Sequence, residues 1–297
     1  MARPNKQQHK IPECYLKAFT DESGVLWVAD ERYNLRASVP GNVLTEKDYY
    51  TVRFPDGKGG TLFIEKEVLA SIEAEYARIY KDTIKPRKTL PLEDRAIMSV
   101  FIASMMERAP AKREVWKDFF DRLKKFEDFA KDVTPEQAQN FSIPLPKDSS
   151  SMPLSEALKA GEDVGSLHSS LIPDTVVKTA PIIFGMKWSF MVSDNAAAPF
   201  ITSDCPCVLR NPDLPEKSIC QPGLLQKKVE LTIPLSPQIA LIAGWEINHE
   251  GLYLPIPESL VHDTNKRTMT YARTLICNSE KFLENYIRLE KKARGIS

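Results

Sequence analysis

A histidine stands close to the start of the chain, directly before the first apolar segment. The stretch QQHKIPECYLKAF, residues 7–19, contains His9. Because imidazole has an unperturbed pKa of about 6.5, His9 could serve as a general acid, a general base or a metal ligand at neutral pH. A solvated residue near the terminus is the alternative. The side chains that follow would form the apolar face of a short helix and hold His9 against the body of the protein: Ile11, Tyr15, Leu16 and Phe19.

A second polar group follows a short apolar segment in FITSDCPC, residues 200–207. Ser203 and Asp204 stand at the end of this predicted strand, shortly before Pro206. Polar residues at strand ends commonly bind ligands in proteins that combine helices and sheets. The alternative is a turn in which these side chains bond their own backbone. We expect Asp204 to act in chemistry and Ser203 to contact a ligand.

Two further residues are candidates because of their places on predicted helices. Arg108, in MERAPAKRE, ends an apolar helix, where a guanidinium could bind a carboxylate or a phosphate. An ordinary cationic helix C-terminus is the alternative. Asn265, in VHDTNKRTMTYA, lies within a predicted helix, where asparagine is mildly unfavourable and sometimes has a specific partner. The alternative is that Asn265 is an ordinary polar residue on the surface. We expect Asn265, like Ser203, to contact a ligand.

The cysteines give little support for a metal centre. The chain has five cysteines, namely Cys14, Cys205, Cys207, Cys220 and Cys277. An odd number of cysteines in a long chain argues against a disulfide scaffold and favours reduced thiols. Cys205, Cys207, Cys220 and His249 could together supply the four ligands of a zinc site. Because no paired C-x-x-C is present, we predict no structural metal.

Charge and motifs narrow the classes of function. The formal net charge is +0, so no overall field attracts nucleic acid, and any such binding must come from local patches. The glycine-rich phosphate loops, the G-x-S-x-G nucleophile motif and the H-E-x-x-H zinc motif do not occur. Nucleotide-driven chemistry is therefore disfavoured, and the residues indicate neither a particular cofactor nor an oligomeric state.

Apolar stretches such as IALIAG, residues 239–244, are far shorter than the roughly 20 residues that cross a bilayer. The polar N-terminus is followed by no apolar segment of the kind found in secretory signals. We therefore expect a cytoplasmic protein without a membrane partner.

Hydrophobic periodicity predicts both helices and strands. Residues 24–54 appear extended, and a helical period begins at Ile64. Later helices are predicted at 92–108, 111–133, 169–186, 258–277 and 279–294. Pro173 would lie in the first turn of the third of these, and Pro181 would kink or end it. Short strands are predicted in KWSFMVSD, PFITSD, VELTIPL and QIALIAGW.

This order predicts an α+β fold in which a helical layer packs on a mostly antiparallel sheet. We expect one domain over residues 1–297, and a division of this domain into two packed lobes is the alternative. The lobes would be 1–141, a small β unit with helices, and 154–297, a sheet with C-terminal helices. The proline- and serine-rich segment 142–153 would join them as a loop.

The N-terminal residues His9, Pro12, Tyr15, Leu16 and Phe19 form the pattern H-x-x-P-x-x-Y-L-x-x-F. This pattern resembles the signature of a family of bacterial, fungal and phage proteins grouped as domain of unknown function 4238. Other segments are similar to it, among them NVLTEKDYYTV, RAPAKR, FITSDCPC and IPLSPQIAL, so the resemblance covers most of the chain. The segment at roughly 115–186 matches no pattern of the family. The resemblance implies no activity, but it implies that His9 and Asp204 belong to a polar signature.

Two functions remain open. In the first, His9, Arg108 and Asp204 form one catalytic site, and Ser203 and Asn265 contact the ligand. Histidine oriented by a carboxylate, with arginine neutralising an anion, suits phosphodiester hydrolysis. This predicts a nuclease, in phage defence or toxicity. In the second, the same residues hold the N-terminal segment or a ligand without a chemical step.

Overall fold

A computed structural model describes residues 7–53, 60–61, 63–131, 161–214 and 222–293. Within these ranges, helices are combined with sheets whose strands are antiparallel except for one pair. The predicted α+β class is therefore confirmed. The predicted loop at 142–153 lies outside the described residues, and the division into lobes stays a prediction.

The described helices include two that meet at a proline. The first ends at Arg108, and after Ala109 the second begins at Pro110, because proline suits the first turn of a helix and cannot continue a preceding one. The helices are α1 (Glu13–Leu16), α2 (Ala70–Ile79), α3 (Leu92–Arg108), α4 (Pro110–Lys131), α5 (Val164–Gly185), α6 (Glu258–Thr270) and α7 (Glu280–Ala293). Helix α2 is extended at both ends by π-helical turns, Ile64–Leu69 and Tyr80–Ile84.

The strands form more than the one sheet that the sequence predicts. They are β1 (Gln7–His9), β2 (Leu26–Ala29), β3 (Leu35–Ser38), β4 (Thr45–Lys47), β5 (Val52–Arg53), β6 (Gly60–Thr61), β7 (Lys187–Val192), β8 (Thr202–Ser203), β9 (Val208–Arg210), β10 (Glu230–Pro234), β11 (Ile239–Gly244), β12 (Tyr253–Pro255) and β13 (Leu275–Cys277). A five-stranded sheet has the order β12-β7-β11-β10-β9, and a four-stranded sheet has the order β3-β2-β13-β8. The pairs β1-β4 and β5-β6 stand apart.

The four-stranded sheet joins segments that are far apart in the chain. Strand β13 lies between β2 and β8 and runs antiparallel to both, with Leu275 opposite Ala29 on one side and Ser203 on the other. The carboxyl ends of β2 and β8 therefore both lie beside the amino end of β13. This arrangement brings the residues that follow β2 and β8 together with those that precede β13.

The N-terminal segment is packed into the core as the sequence predicts. The apolar face of Ile11, Tyr15, Leu16 and Phe19 is fully buried, and burying each such side chain is worth about 1.5–3 kcal/mol. The Tyr15 hydroxyl donates a hydrogen bond to the carbonyl oxygen of Pro234 over 2.6 Å and contacts Thr202 Oγ1 at 2.7 Å. Helix α1 is thus fixed to both large sheets.

Two helix boundaries differ from the prediction. Helix α5 begins at Val164 rather than 169, because the Asp163 side chain accepts a hydrogen bond from the Ser166 N–H and caps it. The prediction that Pro173 lies in the first turn is therefore wrong, and the helix continues past Pro181 to Gly185. The helix predicted at 258–277 ends at Thr270, since its last residues form β13.

No helix within the described ranges combines the length and the apolar content that crossing a membrane requires.

Candidate functional site

A polar cleft of about 520 Å³ opens where the ends of β2 and β8 meet the start of β13. The loop after β2, the residue after β1, the first turns of α4 and the segment between α6 and β13 surround it. Its lining residues are Lys10, Asp30, Glu31, Arg32, Asn34, Leu44, Pro110, Glu114, Asp204, Arg273 and Thr274. Because charged and polar residues predominate, this cleft suits a polar ligand.

The Asp204 carboxylate is the most buried acidic group of the cleft. The residue is 4% exposed, and its Oδ1 accepts hydrogen bonds from the main-chain N–H groups of Arg273 (3.0 Å) and Thr274 (3.2 Å). Its own N–H donates to the Thr274 carbonyl. Among the described residues, Oδ2 has no hydrogen-bond partner. One carboxylate oxygen is therefore fixed in a residue that lines the cleft.

Burial raises the pKa of Asp204 above its ordinary value of 3.8, although the N–H groups of Thr274 and Arg273 act in the opposite direction. Desolvation disfavours the charged carboxylate more than these two hydrogen bonds favour it. A carboxyl group with a raised pKa exchanges protons more readily near neutral pH than an exposed aspartate does.

Two of the cations that line the cleft are each paired with a carboxylate. Arg273 contacts Glu114 of α4 through both of its terminal nitrogens, with Nη2 2.7 Å from Oε2. Lys10 pairs with Glu46, its Nζ lying 2.8 Å from Oε2. The carboxylate of Asp30 is used within its own loop, where it accepts hydrogen bonds from Arg32 and Asn34. Arg273 and Lys10 therefore carry positive charge that carboxylates already balance.

The predicted ligand contacts Ser203 and Asn265 are both buried, and neither lines this cleft. Ser203 Oγ accepts a hydrogen bond from the Cys205 N–H at 3.0 Å, which is the turn that the sequence leaves open as an alternative. Asn265 Oδ1 accepts from the Ile201 N–H at 3.0 Å, and its Nδ2 donates to the Pro199 carbonyl at 2.9 Å. Both side chains thus fix the segment that leads to Asp204.

His9 lies in β1, opposite Thr45 of β4. Its carbonyl oxygen accepts hydrogen bonds from Arg108 Nη2 at 2.7 Å and from the Tyr50 hydroxyl at 3.3 Å. The imidazole Nε2 is buried and has no hydrogen-bond partner in the described part of the chain. The next residue in the chain, Lys10, lines the cleft, whereas His9 itself does not.

Arg108 is a buried cation at the junction of α3 with the N-terminal segment. The residue is 2% exposed. Besides its bond to the His9 carbonyl, Nε donates to the Tyr50 hydroxyl at 2.7 Å and Nη1 donates to Glu73 at 2.5 Å. Each of the three guanidinium nitrogens therefore donates a hydrogen bond to one of these partners.

The structure therefore brings Arg108 to the main chain of His9 but does not join either residue to Asp204 by a described hydrogen bond. Sequence reasoning missed Lys10, Glu114 and Arg273 as cleft residues. No local spacing marks them, because they come from three segments that only the folded chain brings together.

The described cysteines are free, and burial governs their chemistry. Burial raises the pKa of Cys14, Cys205 and Cys277 to about 12, so these thiols stay protonated at neutral pH. Cys220 lies outside the described residues. Among those that the structure describes, no group of three or more histidine, cysteine or acidic residues could hold a metal ion.

Fold and cleft together define an α+β protein with a buried carboxyl group in a polar cleft. The chain belongs to the family described as "Protein of unknown function (DUF4238)", whose model matches residues 7–282, and this confirms the resemblance of the N-terminal signature. Comparison with curated proteins and with solved structures gave no significant match.

Proposed function

We propose that this protein is a hydrolase that cleaves phosphodiester bonds of nucleic acid in the cleft around Asp204. The observation that carries the proposal is the state of this carboxyl group. It is buried, one oxygen is fixed by two N–H groups, and the other has no hydrogen-bond partner in the described part of the chain. The cleft that it lines also contains Lys10, Arg32 and Arg273. An acid/base group beside cations is what phosphodiester hydrolysis requires in the absence of a glycine-rich loop.

In this proposal Asp204 is the catalytic residue. Its carboxylate takes a proton from the attacking water, whose oxygen bonds to phosphorus while the bond from phosphorus to the leaving oxygen breaks. The leaving oxygen then takes a proton from Asp204 or from solvent. Lys10, Arg32 and Arg273 offset the negative charge on the phosphate oxygens. Because the same cleft also contains the carboxylates of Asp30, Glu31 and Glu114, the attraction of a nucleic acid is weak overall and sensitive to salt.

His9 and Arg108 have positioning roles in this proposal. The buried Arg108 holds the His9 carbonyl, and this fixes the main chain directly before Lys10. Ser203 and Asn265 fix the other side, because their hydrogen bonds hold the segment that ends at Asp204. Such an activity fits a cytoplasmic nuclease that acts on phage or host nucleic acid.

The proposal is tested by incubating the purified protein with labelled RNA, single-stranded DNA and duplex DNA over a range of pH. We expect cleavage of at least one of these. Asp204 must be ionised to act as a base, and its pKa is raised. The rate should therefore fall as pH decreases through a value above 3.8, the ordinary pKa of the group. The absence of products from all three substrates at every pH would exclude the hydrolase.

A binding protein without turnover is the second candidate, and one observation favours it. Both Arg273 and Lys10 are already paired with carboxylates, which reduces the charge available to a transferring phosphate. In this case the same nucleic acids would bind in a manner that depends on salt and would be recovered intact.

A further inference from the structure

The contact between Arg273 and Glu114 has the geometry of a bound anion. Nη1 donates to Oε1 and Nη2 donates to Oε2, so the two planar groups face each other through two parallel hydrogen bonds. A guanidinium binds two oxygens of a phosphate group in the same way. The carboxylate of Glu114 therefore stands where a phosphate would bind Arg273.

The position of Arg273 relates this anion site to the carboxyl group of the cleft. The main-chain N–H of Arg273 donates to Asp204 Oδ1 at 3.0 Å, while its guanidinium extends to α4. Both Arg273 and Asp204 line the same cleft. A phosphate that replaced Glu114 on this guanidinium would thus share the cleft with the carboxyl group of Asp204.

The internal pair is weak enough to be exchanged. The side chains of Arg273 and Glu114 are 59% and 45% exposed, so water and salt screen this ion pair even though its two parallel hydrogen bonds place it among the stronger surface pairs. Glu114 lies on α4, whereas Arg273 lies between α6 and β13, so separating the two side chains breaks no secondary structure. A phosphate with two available oxygens can therefore compete for the same nitrogens.

We propose that Arg273 is the phosphate-binding subsite of the cleft and that Glu114 is its internal competitor, displaced when a nucleic-acid phosphate enters. The nature of the ligand rests on the proposed function. The competition itself is an equilibrium property and can be measured in a protein that does not cleave.

The test measures binding in an Asp204→Asn background, which excludes turnover. The probes are inorganic phosphate, followed by calorimetry, and a six-nucleotide single-stranded DNA with a 5′-fluorescein, followed by anisotropy. Adding Glu114→Gln removes the competing charge, so both probes should bind about two- to fivefold more tightly. Adding Arg273→Gln should abolish this gain.

The matched control is Glu246→Gln. Glu246 is 47% exposed and pairs with Lys227 away from the cleft, so this change alters the net charge equally without freeing Arg273. Equal gains from Glu114→Gln and Glu246→Gln would overturn the proposal, as would weaker or unchanged binding in Glu114→Gln. Tighter binding by Glu114→Gln without cleavage by the native protein would keep the subsite and exclude only the hydrolase.

Discussion

Replacing Arg108 by methionine should lower the free energy of unfolding by about 3 kcal/mol, at the lower end of the range for breaking a buried charged network. The guanidinium holds the His9 carbonyl, the Tyr50 hydroxyl and the Glu73 carboxylate, and its carbon Cζ lies 5.1 Å from the centre of the Tyr50 ring. Methionine fills similar space but leaves these groups without their donor. Since Glu73 is 26% exposed, water can solvate it and limit the loss.

The measurement is urea denaturation of the native protein and of Arg108→Met. Arg122→Met is the control, because Arg122 is an exposed arginine of α4 and its replacement should change stability by under about 0.5 kcal/mol. A loss below about 1 kcal/mol in Arg108→Met would show that this network does not fix the N-terminal segment.

The protein should lose stability in mild acid because of His168, which lies in α5 and is 2% exposed. Burial, helped by the charge of Arg113, lowers the pKa of His168 from 6.5 to about 4. The ring Nε2 lies 2.9 Å from the Glu107 carbonyl, to which it donates when neutral, and Nδ1 has no partner among the described residues. A second proton would thus be placed on a buried nitrogen without an acceptor.

The direction of this change in stability with pH follows from how many protons His168 binds in the folded and in the unfolded chain. Between pH 6.5 and 4 the unfolded chain binds a proton at this histidine and the folded chain does not, so stability falls as pH decreases. Above pH 6.5 the protonation of His168 does not affect the free energy of unfolding. By pH 4 it has lowered the free energy of unfolding by about 3 kcal/mol.

Unfolding free energies measured at intervals across this pH range test the prediction. His168→Gln should remove most of the slope because glutamine can still donate to the Glu107 carbonyl but does not titrate. His249→Gln, which replaces an exposed histidine, should keep the slope of the native protein. An equal slope in His168→Gln and in the native protein would contradict this assignment.

Local patterns predict the helices better than the last strand. The bounds of α3 were predicted correctly because its apolar residues recur with a helical period and Pro110 marks its end. Strand β13 was predicted as helix, since the apolar run Leu275–Cys277 is too short for its period to distinguish the two. Its pairing with β2, almost 250 residues earlier, decides its conformation.

The candidate site was predicted only in part for the same reason. Asp204 could be recognised because it follows an apolar strand and precedes a proline, which is a local signal. Arg108 was also recognised, but burial could not be predicted from its position at a helix end. Arg273 and Glu114 meet across the cleft from segments 159 residues apart, and no spacing in the sequence indicates that contact.

Asp204→Asn tests most directly whether the Asp204 carboxyl group carries out proton transfer in the cleft. Asparagine keeps an oxygen that can accept the N–H groups of Arg273 and Thr274, so the fold should be retained, which thermal unfolding checks. Asp174→Asn is the control, since Asp174 is an exposed carboxylate of α5 paired with Lys178.

The measurement is the rate at which the native protein and both variants, prepared identically, cleave the best nucleic-acid substrate at neutral pH. Loss of a general acid or base lowers rates by about 10²–10⁴-fold. We expect a loss of this size in Asp204→Asn and a native rate in Asp174→Asn. A folded Asp204→Asn protein that cleaves at the native rate would contradict this role of Asp204.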